Sequence, residues 1–150
     1  MYELSKETIN IIKNSAHLVT VHANEITTEM YTLLFSKHPN IKHFFENAPK
    51  NQYMILAEAL SSFAMNIDNL QLFKPVLKSI ARTHTRVKIK PVHYPLLGMI
   101  LMDAMEKTLG DKATVEFLDA WREAYKFLSI TLIDMEKEIY AEQDTANHVS

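Results

Sequence analysis

The chain contains no cysteine, which excludes a disulfide framework, a thiolate-bound zinc or iron–sulfur centre and a cysteine nucleophile. Glycine is nearly as scarce: Gly98 and Gly110 are the only two. They cannot write a G-x-G-x-x-G turn, a P-loop or a G-x-S-x-G elbow, so dinucleotide, NTP and serine-hydrolase chemistry lose their usual hardware. Charge of one sign is also missing. Lys and Arg number 16, Asp and Glu 18, and the net charge is -2. A dedicated nucleic-acid binder would be clearly positive, so no nucleic-acid partner is expected. No stretch reaches the roughly 18 uninterrupted apolar residues of a membrane span, and MYELSKETINII lacks the basic-then-apolar order of a secretion signal. No run alternates with period two over a useful length, so strands are not expected. What remains is 150 residues, 47% of them apolar, enough for one compact domain with one core. A cytoplasmic monomer or homodimer is expected.

Between the prolines and glycines, apolar residues recur at helical spacing. Ser5 can cap a first helix carrying Ile9, Ile12 and Ala16. A second segment carries Ile26, Met30, Leu33 and Leu34 and stops at His38-Pro39, because the residue before proline disfavours helix. After the Phe-rich turn IKHFFENAP, a third runs from about Asn51 to Asn69 with Leu56, Leu60, Phe63, Ala64 and Ile67 on one face. Pro75 suits the first turn of a fourth, which ends near Lys90-Pro91. A fifth opens around Pro91 to Pro95 and stops at Leu109-Gly110. The last and longest, about Thr114 to Ala141, carries Leu118, Trp121, Tyr125, Leu128, Leu132, Met135 and Ile139 in steps of 3 and 4. It reads as a core helix rather than a coiled-coil seam, since a seam would leave the other amphipathic helices without a partner. The expectation is an all-α fold of about six main helices, with the polar ending EQDTANHVS a frayed tail.

Seven histidines raise the question of a metal. No two lie three or four apart and no Glu lies three before a His, so neither H-E-x-x-H nor Glu-x-x-His motifs occur. One histidine can still hold a metal whose other ligands come from a cofactor. His84 is the candidate. Phe73, Leu77, Ile80, Ala81 and Val87 fall within roughly 60° of it on a helical wheel, which also suits a plain core histidine. His17, His22, His38, His43, His93 and His148 lack such a stripe and read as surface or turn residues. On the opposite face Lys74, Lys78, Arg82 and Arg86 recur every four residues, followed by Lys88 and Lys90. This is either an ordinary solvated face or a docking field for something anionic: cofactor carboxylates, an acidic protein or, less simply, nucleic acid. Gln52 lies one turn before Leu56 on an apolar stripe, Tyr31 flanks another, and Phe44 and Phe45 read as corner residues. Each of these also has a plain packing explanation.

Taken together, ETINIIK, ITTEMYTLLFSKHPNIKHFF, NIDNL, IARTH, IKPVHYPLLG, LGDKAT, AWREAY and MEKEIYA resemble the bacterial single-domain haemoglobins and the globin module of flavohaemoglobins. The resemblance covers roughly Leu4 to Ala141 and implies a globin domain over 1–141 with a polar tail at 142–150. It implies haem b as cofactor, with His84 the iron ligand and Phe45 and Leu56 against the haem. Tyr31 and Gln52 become the polar pair on the ligand side. Tyr94 and Glu136 match the residues that orient the ligand histidine, and a carboxylate accepting directly from the His84 ring N–H is expected. The chain departs from the family in having Thr83 where Lys usually precedes the histidine. The stretch between Phe45 and Gln52 is one residue short, so Tyr53 competes with Gln52 for the pocket.

What the resemblance implies about function is reversible dioxygen binding, for carriage or delivery, and nitric oxide dioxygenation. Because the similarity ends with the globin module, a separate flavin or ferredoxin-type reductase is the expected partner. A peroxidase-like haem enzyme is the alternative, and a cofactor-free helical sensor or interaction module is a third reading.

Overall fold

The computed structural model describes residues 3–149, with side chains described through Ala146. The side chain of His148, expected at the surface, lies outside the described residues. Helix α1 spans Lys6–Lys37, α2 Gln52–Met65, α3 Lys74–Arg86, α4 His93–Leu109 and α5 Val115–Val149. A seven-residue 3-10 helix, Pro39–Phe45, joins α1 to α2. Shorter 3-10 turns precede α3 and follow α4. With the longer 3-10 helix counted as the sixth, the expected all-α architecture of about six main helices holds, and no strand forms among the described residues.

The two apolar segments expected ahead of His38 prove to be one helix. Ser5 starts it, its hydroxyl accepting from the Thr8 N–H at 3.1 Å as an N-cap does. Neither glycine nor proline interrupts Lys6–Lys37, and the buried Ile12, Ala16, Val19, Ala23, Ile26, Met30 and Leu34 keep steps of 3 and 4 through the middle. That single stripe makes α1 the spine of the molecule. On it pack α2, α4 and α5, while α3 packs on α5. Phe63 of α2 meets Phe73, just ahead of α3, and Trp121 of α5, with ring centroids 5.5 and 5.9 Å away. All three are at most 2% exposed. Burying a Phe contributes roughly 1.5–3 kcal/mol, so this cluster fixes three elements about one point.

The expected helix ends hold where proline or glycine sets them. Pro75 sits in the first turn of α3, and Gly110 follows α4 at φ 57°. The end of α3 comes at Arg86 instead of near Lys90. Ile89 N–H donates to the His84 carbonyl at 2.9 Å and Lys88 N–H to the Thr85 carbonyl at 3.2 Å. This is a Schellman turn, with Lys88 at φ 64° in the left-handed position that glycine normally takes. Helix α5 continues past Ala141 through Val149, and residues 142–146 of the polar ending are helical and exposed. Its stripe, including the buried Leu118, Trp121 and Leu132, lies against the other helices. No helix among the described residues is long and apolar enough to cross a membrane.

Candidate functional site

His84 lies in the last turn of α3 with its side chain 26% exposed. Its Nδ1 stands 2.9 Å from the Tyr94 hydroxyl. Tyr94, second residue of α4 and 3% exposed, donates its proton to Oε2 of Glu136 on α5, also 3% exposed. A phenol has one proton to give. With that proton on Glu136's side, the Tyr94 oxygen accepts and His84 Nδ1 carries the N–H. Nε2 is left with the free lone pair, the tautomer a metal needs.

This arrangement corrects the expected direct contact between His84 and Glu136. Nδ1 and Oε2 are 3.8 Å apart, beyond hydrogen-bond reach, and Tyr94 stands between them. Burial first, then the hydrogen bond and charge of Glu136, hold the Tyr94 phenol well above its usual pKa, so it stays neutral. Two further tyrosines, not singled out as site residues from the sequence, brace the relay. The Tyr125 hydroxyl donates to the Tyr94 carbonyl at 2.7 Å. Its ring fits only because Gly98 has no side chain: a Cβ there would lie 2.6 Å from Tyr125 Cε2. The Tyr140 hydroxyl donates to the Ile89 carbonyl at 3.2 Å, tying the Schellman turn to α5. In sequence Tyr125 is one more stripe residue and Tyr140 has no spacing of its own.

Tyr31, Gln52 and Phe45 meet where α1, the 3-10 helix and the start of α2 come together. The Tyr31 ring packs against Phe35 at 5.7 Å and edge-on to Phe45 at 5.4 Å. The Gln52 side chain, at the first residue of α2, faces the Tyr31 hydroxyl and acts to lower its pKa. Burial nevertheless pushes that phenol up to about 12, so at neutral pH Tyr31 keeps a proton to donate. With Phe35, Lys50 and Tyr53, these residues line a cavity of about 660 Å³, a size suited to a small molecule or part of a cofactor. Tyr53 borders it with a ring 37% exposed, while its carbonyl accepts from Thr27 Oγ1 at 2.8 Å. Gln52 and Tyr53 thus both line the cavity, and of the two Gln52 is the one that acts on the Tyr31 phenol. Leu56, one turn along α2, is half-buried against the core and is not among the residues lining this cavity.

The 3-10 helix links the two halves. Phe45 faces the cavity, and Phe44 sits 4.9 Å from the His93 ring. His93 Nδ1 accepts from the Lys90 N–H at 2.8 Å, closing the turn that leads to Tyr94. His93, read from the sequence as a surface or turn residue, opens α4 and closes the turn before it.

The Globin family profile matches residues 28–132. An uncharacterised globin-like protein of Aquifex aeolicus is 44% identical over 139 residues, 93% of this chain and 99% of that protein. A flavohaemoprotein of Halalkalibacterium halodurans is 37% identical over 95% of this chain, which spans 36% of that protein's length. Among solved structures, an engineered carbene transferase derived from a nitric oxide dioxygenase candidate of Rhodothermus marinus aligns with a TM-score of 0.91 at 34% identity, covering 95% and 99% of the two chains. Tyr31, Phe45, Gln52, His84 and Tyr94 fall inside the span of the profile. Agreement of helix order, helix-borne histidine and relatives aligned nearly end to end leaves one conclusion: this chain belongs to the globin family.

Proposed function

We propose that this globin holds haem b through His84 Nε2, binds dioxygen reversibly and converts nitric oxide to nitrate with electrons from a separate flavin or ferredoxin-type reductase. The observation carrying this reading is the relay from His84 through Tyr94 to the buried Glu136. Globin membership implies a haem cofactor, and the residues fit one. A lone imidazole with a free Nε2, oriented by a hydrogen bond to its other nitrogen, is how a ligating histidine is held. Bound there, haem supplies a redox-active iron with a coordination position left for a small gas.

The chain's own residues do the rest. Tyr94 fixes the plane of the His84 ring and passes the pull of the Glu136 charge to Nδ1–H. The imidazole becomes a stronger electron donor while keeping its proton. An imidazole made electron-rich in this way would favour O–O activation over passive storage were haem held there. Tyr31, neutral up to about pH 12, and the Gln52 amide can each donate to partial negative charge on a gas ligand. A hydrogen bond to a charged group contributes about 1.5–3 kcal/mol, or roughly 10- to 150-fold in affinity. The apolar rings of Phe35 and Phe45 limit water around that charge. In overall balance one nitric oxide, one dioxygen and one electron give one nitrate.

The resemblance of the chain to the flavohaemoprotein and to the dioxygenase candidate supports this reading. The same relay would serve peroxide chemistry, so kinetics decide between the two. Purified protein should show reduced and oxygenated haem spectra, lost in His84→Gly and restored by added imidazole. The oxygenated form should turn nitric oxide into an equal amount of nitrate, faster than it turns over peroxide. Tyr31→Phe should speed dioxygen release about 10- to 100-fold. Protein that stays colourless with hemin refutes the reading, and so does an oxygenated form inert to nitric oxide.

A further inference from the structure

Six cations, Lys74, Lys78, Arg82, Arg86, Lys88 and Lys90, occupy α3 and the turn after it, and all six are exposed. The first four recur every four residues and form one ridge. No acidic residue occurs between Asp68 and Asp103, and none of the six forms an ion pair among the described residues. Lys90 lies instead over the Tyr140 ring, 4.3 Å from its centroid.

The fold gains little from this ridge beyond the favourable place of Arg86 in the last turn of α3. Like charges at i,i+4 destabilise a helix, and Lys74 opens α3 at the positive end of its dipole, where a cation is unfavourable. Sixteen Lys and Arg stand against eighteen Asp and Glu in the whole chain; with six of the sixteen on this face, the remainder is markedly acidic. A negatively charged body is drawn to the ridge and turned away elsewhere, so the charge distribution orients as well as attracts. Arg82 and Arg86 flank His84 in sequence but, two positions away on the helix, lie on the face opposite it. Leu72, 63% exposed, and Val92, 77% exposed, bracket the basic run in sequence and offer the apolar contacts that accompany charge at an interface.

We infer that the exposed basic face of α3 is the docking surface for a small acidic protein carrying a one-electron centre. This deepens, and rests on, the haem reading above. The donor loses one electron and is oxidised by one unit; ferric iron held at His84 becomes ferrous, and no atom changes hands.

The test uses the haem-loaded full chain and a plant-type ferredoxin as acidic probe. Binding is measured by calorimetry with oxidised ferredoxin, and haem reduction by stopped flow with reduced ferredoxin, at about 20 and 300 mM salt, where screening differs strongly. Wild-type binding and reduction should both weaken about tenfold or more with salt. Lys78→Glu/Arg82→Glu, and independently Lys74→Glu/Arg86→Glu, should lose about tenfold in both at low salt and flatten the salt dependence. Reduction by photoreduced lumiflavin, a neutral donor, should not change. No ferredoxin binding by the wild type, or equal binding by wild type and variants, overturns the docking surface while leaving the gas chemistry standing. Equal slowing with lumiflavin also overturns it, since the substitutions then act on the haem. Tighter association with phosphatidylglycerol vesicles than with ferredoxin, or self-association abolished in the variants, assigns the face to a membrane or a second copy and overturns it as well. A wild type that takes no haem instead overturns the reading beneath.

Discussion

Tyr94→Phe removes one oxygen atom from the centre of the relay, and its consequences separate an electronic role from mere packing. Glu136 is 3% exposed and receives its hydrogen bond from Tyr94. A bond to a charged group contributes about 1.5–3 kcal/mol, and a buried carboxylate left without its donor adds its own desolvation cost. Breaking a buried charged contact by removing one partner costs about 3–5 kcal/mol when both are ions. With a neutral phenol the loss should be about 2–4 kcal/mol, read from urea denaturation of the haem-loaded protein. Glu136→Gln keeps an acceptor for Tyr94 and should cost only about 1 kcal/mol. The double variant Tyr94→Phe/Glu136→Leu leaves no stranded charge and should recover much of the single variant's loss. Such non-additivity is what a contacting pair shows.

Stability alone would also fall if Tyr94 were only a packed ring, so the iron supplies the second readout. Without the Tyr94 oxygen, His84 Nδ1–H loses its 2.9 Å acceptor and the imidazole becomes a weaker donor to iron. Ferric iron loses more than ferrous, so the midpoint potential should rise. A one-electron couple moves about 59 mV for each tenfold change in equilibrium, so about 1 kcal/mol of lost ferric preference gives roughly 40 mV. Glu136→Gln should move the potential in the same direction. A Tyr94→Phe protein within about 0.5 kcal/mol of wild-type stability, with its potential unmoved, would refute the relay.

Other predictions concern the parts that hold this site. Lys88→Gly relieves a non-glycine residue at φ 64° and should raise stability by about 1 kcal/mol; a lower urea midpoint would contradict the left-handed turn. Gly98→Ala places a methyl 2.6 Å from the Tyr125 ring. Overpacking of about 1–3 kcal/mol should outweigh the roughly 1 kcal/mol gained in helix propensity. In a Tyr125→Ala background the same change should stabilise, and destabilisation there would dismiss the contact. Tyr31 ionises near 12 in the folded chain against an ordinary value of about 10. The unfolded chain therefore loses that proton first, and Tyr31 makes stability fall as pH rises from about 10 to 12, by at most about 1.4 kcal/mol per pH unit. Below pH 9 it contributes no slope. A tyrosinate present in folded wild type but missing from Tyr31→Phe that titrates near the ordinary value of about 10 would contradict the burial.

Which features can be read in advance follows from the range of the interactions that make them. Ends at His38-Pro39, Pro75 and Leu109-Gly110 depend on one or two residues' backbone chemistry and are visible locally. The end of α3 falls earlier than expected because Lys88 occupies a position where only glycine or asparagine would have signalled a turn. The join within α1 is hidden because only Val19 and Ala23 carry the buried stripe between Ala16 and Ile26, among mostly polar neighbours that make the two runs look like two helices. Spacing places His84 on the apolar face of its helix but cannot choose between a core residue and a ligand. The resemblance to a family favours the ligand, a reading that the Tyr94 hydrogen bond at Nδ1 is compatible with. That tyrosine's place between His84 and Glu136 depends on three helices meeting across separations of 10 and 42 residues, which no periodicity encodes. One local signal does point toward the relay. Gly98 is one of two glycines in the chain and lies inside a helix, where glycine costs up to about 1 kcal/mol relative to alanine. A residue kept at that cost marks a close approach, here by Tyr125, which in turn grips the Tyr94 carbonyl. The basic ridge needs no such inference, since surface charges at i,i+4 are set by the helix alone. Its meaning, however, depends on the imidazole carried on the opposite face of the same helix, and that links the legible surface to the part of the site that only folding assembles.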